Sequence, residues 1–430
     1  MYRQAREYLN GITKYGSVLG LESITQLLKR VGDPHKELKF VHIAGTNGKG
    51  STLAFISTIL KTAGYKTGRY ISPSVFSYRE KIQVNEEYIQ KESLAKLTFV
   101  IKDAIELMLA SGLAHPTVFE VETVLAFLYF KQEKCDIVVI ETGLGGLLDA
   151  TNVVENTMVA VITPIDRDHM EFLGDSIKEI AWNKAGIIKK DSVVVTANQS
   201  TDAMEVIKEQ CRQFDNELEV ADLSKVTNVL YENLQIHFNY KEFNGIEINL
   251  AGSYQIQNAI VAIEAVKALR KYAFSITQEA ILEGLRTARW AGRFAKISEN
   301  PLIILDGAHN EAAAIRLRET IKCYFEDKKL MFVIGVFADK DYEKIAEITT
   351  SLAYKILTVT TPDNPRALSG EKLAQTISKY NSNVEYVESI ESAVQKCFNE
   401  KNEVDAIIVF GSLSYLGAFE KQVMNRKGGN

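Results

Sequence analysis

Lys39-Phe40-Val41-His42-Ile43-Ala44-Gly45-Thr46-Asn47-Gly48-Lys49-Gly50-Ser51 decides the reading of the first half of the chain. Lys39–Ala44 (KFVHIA) is a short, largely apolar run stopped by a glycine, the pattern of a strand buried in a parallel sheet. Ser51–Ala63 then reads as a helix. A glycine-rich loop carrying a lysine, leaving a strand and opening a helix, is the setting a phosphate-binding loop needs. Glycines let the backbone curl so that its N–H groups face the phosphates, and the helix N-terminus adds partial positive charge. Gly45, Thr46, Asn47, Gly48, Lys49, Gly50 and Ser51 are therefore candidate triphosphate contacts. Lys49 would neutralise the β- and γ-phosphates, and Ser51 or Thr52 would help hold Mg²⁺. The spacing departs from the usual GxxxxGK[ST]: two residues separate Gly45 from Gly48, and Gly50 stands where Ser or Thr is normal. The competing reading is a glycine turn without a ligand, which would not call for the lysine.

Outward from this loop, strand and helix alternate. Ile137–Ile140 and Val159–Ile162 are two more buried-strand candidates, with helical stretches near Glu92–Ala110 and Val118–Lys131. This βαβ rhythm predicts a mostly parallel sheet covered on both faces. From about Leu218 to Leu250 the rhythm breaks. Asn228–Leu230, Gln235–Phe238 and Ile246–Asn249 read as short antiparallel strands with Asn244-Gly245 as a turn. A helix follows over Gln255–Tyr272, and a boundary is expected near Arg293–Pro301. Alternation then restarts, with Leu302–Leu305, Met331–Ile334, Ile356–Val359 and Ala406–Phe410 as strands. The fold class is α/β with two domains. An N-terminal P-loop-type domain of mostly parallel sheet is expected over 1–294, and a smaller, Rossmann-like α/β domain over 295–430.

Composition narrows the function classes. The 430 residues are 46% hydrophobic and 24% charged, which permits a sizeable core and argues against wholesale disorder. A formal net charge of −5 argues against a general nucleic-acid binder, though a local basic pocket for an acidic ligand stays open. Cys135, Cys211, Cys323 and Cys397 are far apart in sequence and form no CxxC pair, so reduced thiols are expected. The first residues, MYRQAREYLNGITKYGS, carry no apolar secretory core, and no run reaches the ~18 apolar residues of a membrane span. A cytoplasmic protein, with no membrane or nucleic-acid partner and acting as a monomer, is the expectation.

Two residues past buried strands are metal-ligand candidates on position alone. Glu141 follows Ile137–Ile140 and opens a glycine-rich turn, Glu141–Asn152 (ETGLGGLLDATN). An acidic group at the carboxyl end of a parallel strand faces the ligand crevice and could hold a phosphate-bridging Mg²⁺. His169, past Val159–Ile162, could ligate through neutral imidazole or be a polar loop residue. Pattern alone makes Lys184 a solvated helix lysine.

The chain resembles the folylpolyglutamate synthase/dihydrofolate synthase family, relatives of the Mur peptide ligases. The resemblance runs from Tyr15-Gly16 to Gly411-Ser412. It is carried by the GTNGKGS loop, Ser72-Pro73, Pro116–Glu120 (PTVFE), ETGLGGxLDATN from Glu141, and Asp168-His169 with Leu173-Gly174. KAGI from Lys184, Gly292-Arg293, and Asp306–Asn310 (DGAHN) complete it. By resemblance, Ser72, Glu141 and His169 match magnesium ligands, and Lys184 matches a lysine that the family carbamylates to help hold a second Mg²⁺. Asn258, Arg293 and Asp306 match nucleotide contacts, and His309 joins Asp306 in the second domain's share of the site. Phe119, Asp149, Ala150 and Thr151 match segments lining the folate site, although Phe119 also reads as the start of a buried helix. In three places the chain departs from the family pattern: Leu147 where Arg is frequent, Asn183 where Glu is frequent, and Ser74 where His is frequent.

The implied reaction joins L-glutamate to a carboxylate of dihydropteroate or a folate, with ATP as co-substrate and two Mg²⁺ sites. Phosphoryl transfer makes an acyl phosphate, which the neutral glutamate amine attacks. Lys49, Lys184, Asp306 and His309 are the catalytic candidates, the last two for the base. Two rivals stand beside this reading: a Mur-type ligase acting on a cell-wall precursor, and a non-catalytic nucleotide switch.

Overall fold

The computed structural model describes the whole chain except residues 17, 18, 291, 293, 363, 429 and 430. It divides into two compact units. One comprises Met1–Asn228, Phe238–Glu247 and Gln257–Ala288; the other comprises Val229–His237, Ile248–Ile256 and Arg289–Asn430. The expected boundary at 294/295 thus becomes a division at 288/289. The second unit also takes two earlier segments from the stretch where strand–helix alternation breaks.

The first unit is built on an eight-stranded sheet. Its strands are β1 (Phe40–Ala44), β2 (Thr67–Tyr70), β3 (Ile82–Val84), β4 (Glu87–Tyr88), β5 (Ile137–Glu141), β6 (Thr157–Ile162), β7 (Val193–Ala197) and β8 (Leu218–Ala221). They lie in the order β4-β3-β2-β5-β1-β6-β7-β8. The pairs from β2 through β8 are parallel, and the β2–β3 and β3–β4 pairs are antiparallel. Every residue of β1, β5 and β7 is buried, as strands covered by helices on both faces must be. β1 sits between β5 and β6, so the loop that follows it emerges from the middle of the sheet.

Three further strands, β9 (Val226–Glu232), β10 (Gln235–Tyr240) and β11 (Phe243–Ile248), form a separate sheet in the order β11-β10-β9. Its turns differ from the expected one. Asn244-Gly245 lies inside β11 and is not a turn. The reversals fall at Asn233-Leu234 and Lys241-Glu242, and connections of two residues join only antiparallel strands. Asn233, Leu234 and Lys241 take the left-handed conformation, with φ of 50°, 63° and 49°. A leucine and a lysine carry no turn signal, whereas the Asn-Gly pair carries a misleading one.

The second unit contains β12 (Ala295–Glu299), β13 (Leu302–Leu305), β14 (Leu330–Ile334), β15 (Lys355–Thr358), β16 (Val384–Tyr386) and β17 (Ala406–Phe410). Their order is β12-β13-β17-β14-β15-β16, parallel except for the antiparallel β12–β13 pair. The helices Glu311–Tyr324, Tyr342–Thr349, Gly370–Ile377, Ile390–Asn399 and Leu413–Gly428 complete an α/β unit. Its core gathers Ile304, Phe332, Ile356, Ile408 and Phe410. Among the described residues no helix is long and apolar enough to cross a membrane. All four cysteines are free thiols.

Candidate active site

Parallel register lines up the carboxyl ends of four neighbouring strands. Tyr70 pairs with Ile140, Ile43 with Glu141, and Ala44 with Ile162. Ser72, Glu141, the Gly45–Gly48 loop and Thr163 therefore leave the sheet on one rim, where open α/β sheets bind ligands.

The loop is fixed by its neighbours. Pro164 O accepts hydrogen bonds from Thr46 N at 3.0 Å and Asn47 N at 3.3 Å. Thr46 Oγ1 donates to Asp166 O at 2.9 Å and accepts from Asp166 N at 3.0 Å. Gly48 caps the helix Lys49–Thr62 with φ 88°, and Thr52 N to Gly48 O closes a turn of the helix at 2.9 Å. The amides of Lys49, Gly50 and Ser51 precede that bond and belong to the positive end of the helix. A Cβ built on Gly48 would lie 2.3 Å from Asn258 Oδ1, and one on Gly45 would lie 1.9 Å from Thr163 Oγ1. Asn258 is thus packed on the loop.

That contact has a measurable consequence. Gly48→Ala is expected to raise the KM for ATP about ten-fold or more. Left-handed backbone costs a non-glycine residue about 1–2 kcal/mol, and the added carbon must also displace Asn258. Steady-state kinetics with varied ATP measure it; a KM within two-fold of the parent's would contradict the proposed packing effect.

Lys184 is the main correction to the pattern reading. It is 4% exposed, and its Nζ donates to Gly45 O at 2.9 Å, the same oxygen that Lys49 Nζ reaches at 2.9 Å. Its helix Ile177–Ala185 starts at a Ser176/Glu179 capping box, which sets the face on which Lys184 emerges. Burial, and then the Lys49 charge, bring the Lys184 pKa down to about 7, against the opposing pull of Asp168 and Asp149. Two lysine nitrogens thus share one carbonyl, Lys49 as a cation and Lys184 as an amine close to neutrality. Lys184 falls at helical spacing on the face that buries Ile180, Ala181 and Ala185, a local signal for its burial though not for the loop it meets.

Glu141 is 4% exposed and accepts from Ser72 N at 2.7 Å, so two of the proposed metal ligands are brought together. His169 is exposed, left-handed at φ 49°, with Nε2 3.7 Å from Asp168 Oδ2. Among the described residues no three His, Cys, Asp or Glu side chains group as a metal site. A hydroxyl from Ser72 and a modified lysine fall outside that set of residue types. Thr52 Oγ1, fully buried, has no partner among the described residues, which leaves an oxygen donor in the helix that starts at the loop. The oxygens of Glu141, Ser72 and Thr52 suit a hard cation such as Mg²⁺.

On the other side of Glu141 the glycine-rich turn is braced by Asp149. This buried carboxylate accepts Leu144 N at 2.8 Å on one oxygen, and Thr151 N at 3.0 Å and Thr151 Oγ1 at 2.5 Å on the other. Burial raises its pKa, opposed by these hydrogen bonds and one from Gly143. Phe119 is half-buried, its ring 6.0 Å from Tyr70 and so close to Gly143 that a Cβ there would lie 2.7 Å away. Ala150 is buried in the same turn. Thr117 caps the helix Val118–Gln132 and, with Leu21, Gln26, Met108, His115 and Glu120, lines a cavity of about 430 Å³. Gly20, on the same cavity, donates to Leu148 O at 3.2 Å. Two of the departures from the family pattern touch each other: Leu147 N donates to Asn183 O at 2.7 Å.

Asp306 and His309 lie in the second unit, after β13. Asp306 Oδ1 accepts Ala308 N at 2.8 Å and Oδ2 accepts Phe294 N at 2.9 Å. His309 Nδ1 lies 2.6 Å from Gly307 O, which makes Nδ1 the protonated nitrogen. Asp306 is thus engaged in holding backbone. Arg293 lies outside the described residues.

Comparison with known proteins gives two domain matches: the Mur ligase middle domain over residues 43–266, and the Mur ligase glutamate ligase domain over 292–413. The chain is 35% identical to the dihydrofolate synthase/folylpolyglutamate synthase of Bacillus subtilis strain 168, covering 98% of this chain and 99% of that one. Among solved structures it resembles a folylpolyglutamate synthase from Thermotoga maritima, with TM-score 0.88, 34% identity and coverage of 99% and 97%. It also resembles an FPGS–AMPPCP–folate complex, with TM-score 0.83, 29% identity and coverage of 98% and 99%.

Proposed function

Because this chain belongs to the Mur ligases, in their folylpolyglutamate synthase/dihydrofolate synthase branch, we propose that it joins L-glutamate to a folate or dihydropteroate carboxylate at the expense of ATP. The observation that carries the reading to this chain's own atoms is the convergence of Lys49 and Lys184 on Gly45 O at the head of a helix, beside Glu141's strand.

A carboxylate is a poor acylating agent, and a phosphoryl group transferred to its oxygen gives it a good leaving group. The GTNGKGS loop holds the triphosphate: the first-turn amides present their N–H groups, and Lys49 Nζ turns from the loop's own carbonyls to phosphate oxygens. Fixed positive groups aimed at the transferring phosphoryl stabilise its developing charge with little reorganisation. Asn258, packed on Gly48, orients the nucleotide. Glu141, Ser72 and His169, with Lys184 as its carbamate, would hold two Mg²⁺ ions. Mg²⁺ bound there supplies charge neutralisation between phosphates and carboxylate. Carbamylation needs a neutral amine, and a pKa of about 7 makes Lys184 largely neutral just above pH 7.

Phe119, Asp149, Ala150 and Thr151, with the cavity beside Thr117, serve the pterin part of the acceptor. Asp149 acts there through the turn that it braces. In the second unit Asp306 fixes the Phe294 segment, and His309 is the candidate to accept the glutamate amine's proton on Nε2, since Nδ1 faces Gly307 O. The free thiols fit work in the reducing cytoplasm, where ATP is available.

Both folate activities are expected, because the substrate-side segments are intact while Leu147 and Asn183 alter their margin. Mass spectrometry of products from ATP, glutamate and either dihydropteroate or tetrahydropteroylglutamate decides this. Glutamate addition to both supports the bifunctional reading. Addition to the reduced folate alone removes dihydrofolate synthesis but leaves the ligase. Addition to neither, with turnover of a nucleotide-linked cell-wall precursor, would replace the folate assignment with the Mur-type one. Leu147→Arg is expected to change the ratio of the two folate rates.

A further inference from the structure

His42 lies in the middle of β1, three residues before the loop glycine Gly45, and is fully buried. Nothing in the ligase reaction as described uses it. Its Nε2 is 2.9 Å from Thr151 Oγ1. Thr151 Oγ1 lies 2.5 Å from Asp149 Oδ1, and Asp149 Oδ2 accepts Leu144 N at 2.8 Å. A hydroxyl has one proton. Thr151 gives that proton to the carboxylate, so the hydroxyl must accept from His42, and the imidazole carries its own proton on Nε2. Nδ1, unprotonated in that tautomer, is a buried acceptor without a hydrogen-bond partner among the described residues. Burial, with Lys189 nearby, lowers the His42 pKa to about 3, so the ring is neutral throughout the working range.

Donors run from the central strand through His42 and Thr151 to Asp149, whose other oxygen accepts Leu144 N of the glycine-rich turn. We propose that His42 is a positioning residue for the folate acceptor, its Nε2–H polarising Thr151 so that Asp149 holds the 143–152 turn in the geometry the pterin-bearing substrate requires. This rests on the proposed role of that turn in acceptor binding. It assigns His42 to acceptor affinity and not to the nucleotide, although His42 sits on the strand that feeds the phosphate loop. The Asp149 carboxylate needs donors, and Thr151 can commit its only proton to it because His42 supplies the hydroxyl's other bond.

The test uses full-length His42→Leu, His42→Gln, Thr151→Val and the double variant His42→Leu/Thr151→Val. Glutamine keeps an N–H at comparable reach; leucine fills the space without a donor. His42→Leu is expected to raise the KM for the folate acceptor about ten-fold, the ratio that about 1.4 kcal/mol produces, with the KM for ATP within two-fold. His42→Gln should recover most of that loss. Thr151→Val should behave like His42→Leu, and the double variant should be no worse than either, since all cut one chain. Hydrogen exchange over residues 142–153 should quicken in His42→Leu and Thr151→Val but not in His42→Gln. Equal increases in both KM values, failure of glutamine to rescue, additive losses, or unchanged exchange would each overturn the proposal. If the parent enzyme uses no folate acceptor, the functional reading fails, and the exchange arm still decides the hydrogen-bond chain. If His42→Leu does not fold, Thr151→Val and His42→Gln still distinguish the same outcomes.

Discussion

Lys49→Ala is expected to lower kcat/KM by about 10²–10⁴ while the protein stays folded. The range corresponds to several kcal/mol of transition-state stabilisation lost with one preorganised charge. The fold survives because Lys49 is only partly buried and its Nζ bonds carbonyls of its own loop, Gly45 O at 2.9 Å and Thr46 O at 3.4 Å. The helix that follows is anchored by the buried residues Leu53 to Leu60, which the substitution leaves untouched. Circular dichroism and a thermal melt check folding; single-turnover phosphate release checks chemistry. A folded variant with activity within ten-fold of the parent's would remove the loop from the mechanism. Removing Lys49 also takes away the charge that helps depress Lys184, so the Lys184 pKa should rise in this variant.

Lys184→Ala is the second large effect, with an expected loss of about 10² or more in kcat and partial recovery on adding a short carboxylate such as acetate. Burial and chemistry are linked at this residue. An ammonium this deep in the protein is destabilising when charged, and burial is the first cause of its low pKa. The unfolded chain binds the proton up to the ordinary lysine range, while the folded one releases it near pH 7. Between those values the unfolded state holds more protons, so for the unmodified lysine stability rises with pH across that window and is lowest below it. Lys184→Met should therefore melt no lower than the parent at pH 6, which separates loss of catalysis from loss of fold. In the parent, activity should depend on bicarbonate, more so at pH 8 than at pH 6, because only the neutral amine takes up CO₂. Bicarbonate-independent activity at both pH values, together with an unmodified Lys184 by intact mass, would falsify the carbamate.

The central strand, the glycine loop that leads from it into a helix and the presence of two α/β units are legible in the amino-acid sequence alone. Their signals are local: buried parallel strands read as short apolar runs, as β1, β5 and β6 do, and a glycine loop must follow its strand directly. Glu141 is legible because the end of a parallel strand is a defined place. Lys184, His42 and the Asn258–Gly48 contact are not legible from pattern. Each owes its state to partners far away in sequence: Lys184 bonds Gly45, 139 positions earlier, and His42 meets Thr151 109 positions later. A residue's period along its own helix or strand says which face it occupies, but not which loop closes over that face. The hairpin turns escape sequence reading for the same reason, since left-handed Leu234 and Lys241 are held by strand pairing and carry no turn signal of their own. Lys49 reaches Gly45 O within its own loop, but Lys184 is brought to the same carbonyl only by tertiary packing, at a cost written in its lowered pKa that no local stretch of chain would choose.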